Sequence, residues 1–106
     1  MRVIWSPRAL DARDQIAGYI GRRFGKKHRT EFLQEVRKTT RALKSNPNIG
    51  AIDPLFADRP TAYRSIIING LSKMVYYIDD EFVRIAAFWD KIEIGRAVQQ
   101  ECRDRS

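Results

Sequence analysis

Cysteine and histidine are almost missing from this chain of 106 residues, which holds only Cys102 and His28. One thiol excludes an internal disulfide framework, and one Cys with one distant His falls short of the ligand sets that bind zinc. We therefore expect neither a metal site nor a cofactor.

Long apolar runs are also missing. No stretch approaches the roughly 20 apolar residues that a membrane-spanning helix needs, and no signal-peptide pattern stands at the start. We expect a cytoplasmic protein without a membrane partner. A hydrophobic fraction of 43% and a charged fraction of 31% are typical of folded proteins, and this length favours one domain over residues 1–106.

Acidic residues are too few to balance the basic ones. The chain has 20 Lys and Arg against 13 Asp and Glu, a formal net charge of +7. Long-range attraction then favours a polyanionic partner, either nucleic acid or an acidic protein segment, although excess charge also serves solubility alone. The densest basic run is residues 22–29, which either contacts phosphates or an acidic partner or is a solvated helix corner.

Two helices are predicted behind a short N-terminal strand. Arg2–Trp5 is rich in β-branched and aromatic residues, and Ser6-Pro7 is a typical start for a helix. One apolar stripe, formed by Ala9, Ala12, Ile16, Tyr19, Ile20 and Phe24, predicts a helix that ends at Gly25. A second helix is predicted from about Lys26 to Lys44, with Phe32, Leu33, Val36, Thr40 and Leu43 buried, so the two form an antiparallel αα-hairpin.

Residues 62–90 contain three runs rich in Ile, Val, Tyr and Phe, cut by Asn69-Gly70 and by Asp79-Asp80-Glu81. This pattern predicts a three-stranded antiparallel meander, with Asn-Gly as the stronger turn signal. Residues 46–61 are predicted to be a connection that its apolar members Ile49, Ile52, Leu55 and Phe56 tether to the core. A short C-terminal helix is predicted from about Gly95. The fold class is therefore α+β with two layers, and the first strand joins the sheet beside one of the other three.

The turn lengths decide which side chains share a face of the sheet. If both turns hold an even number of residues, one face carries Arg64, Ile66, Ile68, Lys73, Val75, Tyr77, Arg84, Ala86 and Phe88. The other face then carries Tyr63, Ser65, Ile67, Met74, Tyr76, Ile78, Val83, Ile85, Ala87 and Trp89. The second face is nearly free of charge, so we expect the helices to cover it and the first face to be the working face. An odd loop or a bulge would change this assignment.

In this order, several strings resemble the RelE/ParE toxin superfamily of bacterial toxin–antitoxin systems. They are Ser6-Pro7-x-Ala9 with a helical hairpin behind it, Tyr63-Arg64-Ser65-Ile66, the run from Lys73 to Glu81, and Val83-Arg84-Ile85 leading to Trp89-Asp90. The resemblance implies a RelE/ParE-like two-layer fold and a small toxin of the kind associated with plasmid stabilization. Its expected partner is a cognate antitoxin whose acidic or amphipathic segment gains order on docking along the basic sheet face or the hairpin.

Two mechanisms are known on this scaffold. RelE-like members cut mRNA in the ribosome through the RNA 2′-hydroxyl, whereas ParE-like members inhibit DNA gyrase. By resemblance, the catalytic candidates are Lys73, Arg64 and Lys91, but Ile66 and Ile92 stand where the nuclease branch keeps cations. We therefore favour ParE-like inhibition of a target such as gyrase. A ribosome-dependent mRNA endonuclease and a degenerate, non-toxic binding module are the alternatives, so enzymatic activity is left open.

Six residues are predicted to contact nucleic acid or an antitoxin: Arg64, Lys73, Tyr77, Arg84, Phe88 and Trp89. Cations beside aromatic rings suit RNA binding, because the rings can stack on unpaired bases. The same rings suit a pocket for an apolar antitoxin residue, or core packing. Lys73 has an equally plain alternative as a sheet-surface lysine that limits edge pairing.

Overall fold

The computed structural model describes residues 1–70 and 72–90 of the chain. Its elements are strand β1 (Arg2–Trp5), helices α1 (Pro7–Phe24) and α2 (Lys26–Ser45), and strands β2 (Ala51–Ile52), β3 (Arg64–Ile68), β4 (Ser72–Asp79) and β5 (Phe82–Asp90), with a 3-10 turn at Pro54–Phe56. The predicted α+β fold class is confirmed. The predicted C-terminal helix, Lys91, Ile92 and Cys102 lie outside the described residues. None of the helices described is long and apolar enough to cross a membrane.

The start of α1 follows from its capping residues. The Ala9 N–H donates to the Ser6 hydroxyl oxygen at 3.0 Å, and Pro7 takes the first helical position, where its missing N–H costs nothing. The same hydroxyl donates to the Ala86 carbonyl in β5 at 3.1 Å. Gly25, at φ 101°, separates α1 from α2 in a conformation that other residues avoid. The predicted helix boundaries are confirmed.

The sheet is mixed, with the strand order β1-β5-β4-β3-β2. β1 runs parallel to β5, and the other neighbours are antiparallel. The strand that pairs with β1 could not be predicted from the sequence. β2 was not predicted at all, because it lies inside the predicted connection. A strand of two residues is too short to show an alternating pattern, and it forms here because Ala51 and Ile52 pair with Ser65 and Arg64.

The core lies between the two helices and one face of the sheet. Phe88 of β5 meets Phe32 of α2 edge-on at 5.9 Å between ring centroids and meets Trp5 of β1 at 6.0 Å. The helical stripes are confirmed at most positions, but Tyr19 is 48% exposed and Phe24 is 58% exposed. Tyr19 lies at the margin of the α1 stripe, and Phe24 is the last residue of the helix.

The predicted assignment of the two faces of the sheet is wrong in two places. Ile68 pairs with Ser72, which leaves three residues in the first turn, an odd number. β3 is therefore inverted relative to the prediction. In β5, Ile85 pairs with Tyr76 and Ala87 with Val75, so Ala86 is an extra, bulged residue and everything after it changes sides. The second turn is even, as predicted, because Asp79 pairs with Phe82.

Candidate functional site: the open face and its strap

The sheet has a helix-covered face and an open face. In an antiparallel pair, directly opposed residues point to the same side, so the pairs Lys73–Trp89 and Tyr77–Arg84 all lie on the open face. Four of the six predicted binding residues thus share one surface. The other two do not: Arg64 pairs with Tyr76 on the helix-covered face, and Phe88 is 2% exposed in the core.

Residues 53–63, which we call the strap, cross part of the open face. Phe56 stacks nearly parallel on Trp89, with 6.2 Å between centroids and 6° between planes, and lies 5.1 Å from Tyr63. Tyr63 in turn meets Tyr77 edge-on at 5.3 Å. Of the four apolar residues predicted to tether this region, Phe56 is partly buried, whereas Ile49, Ile52 and Leu55 are 45–64% exposed, so the prediction is wrong for these three.

Lys73 is held by the first residue of the strap. Its ammonium nitrogen lies 2.5 Å from the Asp53 Oδ2, and Asp53 is fully buried while the Lys73 side chain is 15% exposed. The other carboxylate oxygen accepts from the Leu55 N–H at 2.9 Å and caps the 3-10 turn. Burial raises the pKa of Asp53, but hydrogen bonds from Lys73, the Leu55 N–H and Ser65 outweigh it, so the pKa lies below its ordinary value of 3.8. The ionised Asp53 carboxylate therefore compensates the positive charge of Lys73.

Arg64 clamps the chain that follows α2. Its guanidinium donates to the Gly50 carbonyl at 2.7 Å and to the Asn48 carbonyl at 3.4 Å. The neighbouring Tyr76 is fully buried; its hydroxyl donates to the Pro47 carbonyl at 2.7 Å and accepts from the Gly50 N–H at 2.9 Å. Burial raises the pKa of Tyr76, which keeps the hydroxyl protonated for these bonds.

Only glycine fits at position 50, between the Tyr76 hydroxyl and the backbone of β3. A Cβ there would lie 2.6 Å from the Tyr76 hydroxyl oxygen and 2.9 Å from the Ser65 carbonyl oxygen, both closer than real contacts allow. Sequence reasoning missed Tyr76, Gly50 and Asp53, because their partners lie 20 to 29 residues away and the sequence gives no local signal for them.

The exposed end of the open face holds Arg84. Its Nε lies 2.8 Å from the Asp79 Oδ2, and its guanidinium lies 5.5 Å above the Phe82 ring. Two grooves of about 340 Å³ each flank the bulged Ala86. One is lined by Ile4, Trp5, Ser6, Pro7, Tyr77, Arg84, Ile85 and Ala86. The other is lined by Arg8, Ala12, Gln15, Ile16, Ala86, Ala87, Phe88 and Trp89.

Within residues 1–70 and 72–90, no group of three His, Cys, Asp or Glu side chains could hold a metal ion. The open face presents cations, aromatic rings and a tyrosine hydroxyl group. Arg84 is the cation there that keeps a half-exposed head group, and its charge is already shared with Asp79.

Comparison with known proteins gives a family match and two similar folds. The family model of the ParE toxin of the type II toxin–antitoxin system, parDE, matches residues 3–94. The sequence has no significant match among curated proteins. The fold is similar to that in a solved structure of the chromosomal ParDE toxin–antitoxin system from P. aeruginosa, with a TM-score of 0.69, 16% identity, and 85% of this chain and 95% of that chain covered. It is also similar to the YoeB dimer from Staphylococcus aureus, with a TM-score of 0.55, 20% identity, and 82% and 92% covered.

Proposed function

The chain belongs to the ParE toxin family of type II toxin–antitoxin systems, and from this premise we propose that it inhibits a protein target, with DNA gyrase as the first candidate. We further propose that a cognate antitoxin neutralises it. The family match and the similarity to a solved ParDE toxin–antitoxin system support that partner.

The ion pair between Lys73 and the buried Asp53 is the observation that favours target inhibition over RNA cleavage. RNA cleavage needs preorganised cations that face the charge developing on the phosphate. Lys73 instead faces a carboxylate beneath the strap, and Arg64 lies on the opposite face of the sheet, bound to two carbonyls. Two of the three candidate catalytic residues thus do not converge on one point, and the third, Lys91, lies outside the described residues. Inhibition by binding needs no such convergence.

One observation favours a second candidate, the ribosome-dependent mRNA endonuclease. Tyr77, Arg84 and Trp89 share the open face with Lys73, and rings beside a cation suit the stacking of unpaired bases. Under this alternative the strap would have to leave Lys73 before RNA could reach it. The alternative therefore makes activity depend on the charge of Lys73, whereas target inhibition does not.

The test pairs two assays on the purified full-length chain. One measures supercoiling by gyrase, and the other maps mRNA cuts in a translation reaction. Each is run with wild type and with the double substitution Asp53→Asn/Lys73→Gln, which removes both charges together and so avoids leaving a buried charge unpaired. We expect wild type and the double variant to inhibit supercoiling within about twofold of each other, and neither to produce cuts in phase with codons.

Codon-phased cuts that disappear in the double variant would instead establish the endonuclease. Inactivity in both assays, with binding to an antitoxin retained, would identify a non-toxic binding module. The antitoxin proposal has its own test, because inducing this chain alone should arrest growth and co-expressing the adjacent reading frame should relieve the arrest. Arrest that persists with every candidate partner would contradict it.

A further inference from the structure

The excess positive charge of the protein lies on its helices. Residues 7–45, which span α1 and α2, contain eleven Lys and Arg against four Asp and Glu, while the rest of the sequence contains nine of each. The helical layer therefore carries the whole net charge of +7. The rest of the chain, taken together, is balanced, and the strands themselves hold four Lys and Arg against two Asp.

One side of α2 concentrates this charge. Its buried residues Phe32, Val36 and Leu43 define the core side, and the residues on the outward side are exposed. The outward cations, which we call the basic stripe, are Lys26, Lys27, Arg37, Lys38, Arg41 and Lys44. At about 1.5 Å of rise per residue the stripe is about 27 Å long. Of the two acidic residues on this helix, Glu31 is exposed and Glu35 is partly buried, and no salt bridge within the described part of the chain involves the stripe.

The beginning of α2 adds an unfavourable arrangement of charge. The N-terminus of a helix carries partial positive charge and favours acidic side chains. α2 instead begins with Lys26 and Lys27, has no acidic residue in its first turn and has no side-chain cap. Arg22 and Arg23, in the last turn of α1, lie across Gly25 from this end. An anion bound here would offset both the repulsion and the dipole.

We propose that the basic stripe and this end of the hairpin bind the phosphate backbone of duplex DNA without reading its sequence. A phosphate backbone needs only cations, and neutralising it releases counterions. A protein segment that folds on docking would need apolar anchors. The exposed outward positions between the cations include Thr30, Glu31, Gln34 and Ala42, which offer no large apolar anchor, so a protein segment fits this surface less well.

The same stripe distinguishes among nucleic acids. Single strands are commonly held by aromatic side chains that stack on bases. No aromatic residue lies along the stripe itself, and the exposed Phe24, beside His28, lies only at its end. A length of about 27 Å matches about eight base pairs of duplex at 3.4 Å each. The choice of DNA over RNA rests on the proposed function, because a target that acts on DNA would bring the toxin close to duplex DNA.

The test measures binding of the full-length chain to a fluorescent 30-base-pair DNA of mixed sequence by anisotropy, at several salt concentrations between 50 and 200 mM. The stripe variant is Lys27→Gln/Lys38→Gln/Arg41→Gln. The control variant, Arg2→Gln/Arg8→Gln/Arg59→Gln, changes the net charge equally with exposed cations away from the stripe. Circular dichroism checks that both variants remain folded.

We expect wild type to bind with a dissociation constant of about 10⁻⁴–10⁻⁶ M near physiological salt, as for other non-specific binding. The stripe variant should lose at least about tenfold in affinity, and the slope of log affinity against log salt should fall by about 2 to 3, since each lost phosphate contact removes about 0.9. The control variant should keep most of the affinity and most of the salt dependence of the wild type.

Equal losses in the two triple variants would overturn the proposal, because net charge alone would then explain binding. Tighter binding to single-stranded DNA or to duplex RNA would overturn the choice of duplex DNA. Equal binding to polyglutamate at the same salt would overturn the choice of nucleic acid. The binding assay contains no gyrase, ribosome or antitoxin, so a failure to bind DNA would not contradict the proposed function. DNA binding can likewise be measured even if the chain does not inhibit gyrase.

Discussion

Asp53 is the fully buried carboxylate of the described part of the chain, and it fixes the strap to the sheet through a single cation. Desolvating a carboxylate is costly unless it is paired and hydrogen-bonded. Here the ammonium of Lys73 and the Leu55 N–H supply those bonds. The residue that family resemblance marks as catalytic thus has a structural role in the folded chain.

This pair predicts a loss of stability in acid. The pKa of Asp53 is lowered in the folded state, so its contribution is present above the ordinary value of 3.8 and is lost as the pH falls below it. In urea unfolding between pH 6 and pH 2.5, the free energy of unfolding of wild type should fall more steeply below about pH 4 than that of Asp53→Asn/Lys73→Gln. Asp58→Asn, an exposed change in the same strap, should follow wild type. Parallel curves for wild type and the double variant would refute the assignment.

At the scale of elements, one ring attaches the middle of the strap, in addition to the ion pair at its first residue. Phe56 contacts both Trp89 below it and Tyr63 beside it, whereas the adjacent Leu55 is 64% exposed. Aromatic pairs of this kind contribute about 0.5–1.5 kcal/mol beyond the area that they bury. Local opening of the strap should therefore be controlled by Phe56.

Limited digestion with endoproteinase Asp-N, which cleaves on the N-terminal side of aspartate, tests this control, because the exposed Asp58 lies in the middle of the strap. Phe56→Ala should speed cleavage before Asp58 several-fold, since the open state becomes more populated while the rest of the fold stays closed. Leu55→Ala, a matched truncation one residue earlier, should leave the rate near that of wild type. Equal rates in the two variants would mean that the ion pair alone holds the strap.

Helix boundaries could be predicted from the sequence, whereas the pairing of strands could not. Ser6-Pro7 and Gly25 act through local backbone chemistry, so their effect is visible in a short window of sequence. Asn69-Gly70 also marked the first turn correctly, with both residues at positive φ. The number of residues in that turn depends on which strand residues pair, and that choice moved Arg64 away from Lys73.

The bulge at Ala86 shows the same limit. It is held by the Ser6 hydroxyl, 80 residues away in the chain. No pattern within β5 reveals it, yet it sends Phe88 into the core and Trp89 to the open face. The sequence therefore predicted which residues belong to the candidate site, but not which of them lie on the same face of the sheet.

At the scale of the whole molecule, the layers differ in charge as well as in structure. The helical layer is strongly basic and the remainder is neutral, so the electrostatic field points outward from α2. Arg41 lies at the centre of this arrangement, with Arg37 four residues before it, and Lys38 and Lys44 three residues on either side. Like charges at these helical spacings are destabilising. The basic stripe should therefore lower the stability of the isolated protein.

Removing the central charge should then stabilise the fold. With three like-charge neighbours, each worth about 0.2–0.5 kcal/mol, Arg41→Gln should raise the free energy of unfolding in urea by about 0.5–1.5 kcal/mol at 10 mM salt. The gain should nearly vanish at 1 M NaCl, where the Debye length falls to about 3 Å. Arg2→Gln, an exposed cation in β1, should show no comparable gain. A stability change in Arg41→Gln that does not depend on salt would mean that these cations do not repel one another, and that an anion has no unfavourable charge to offset there.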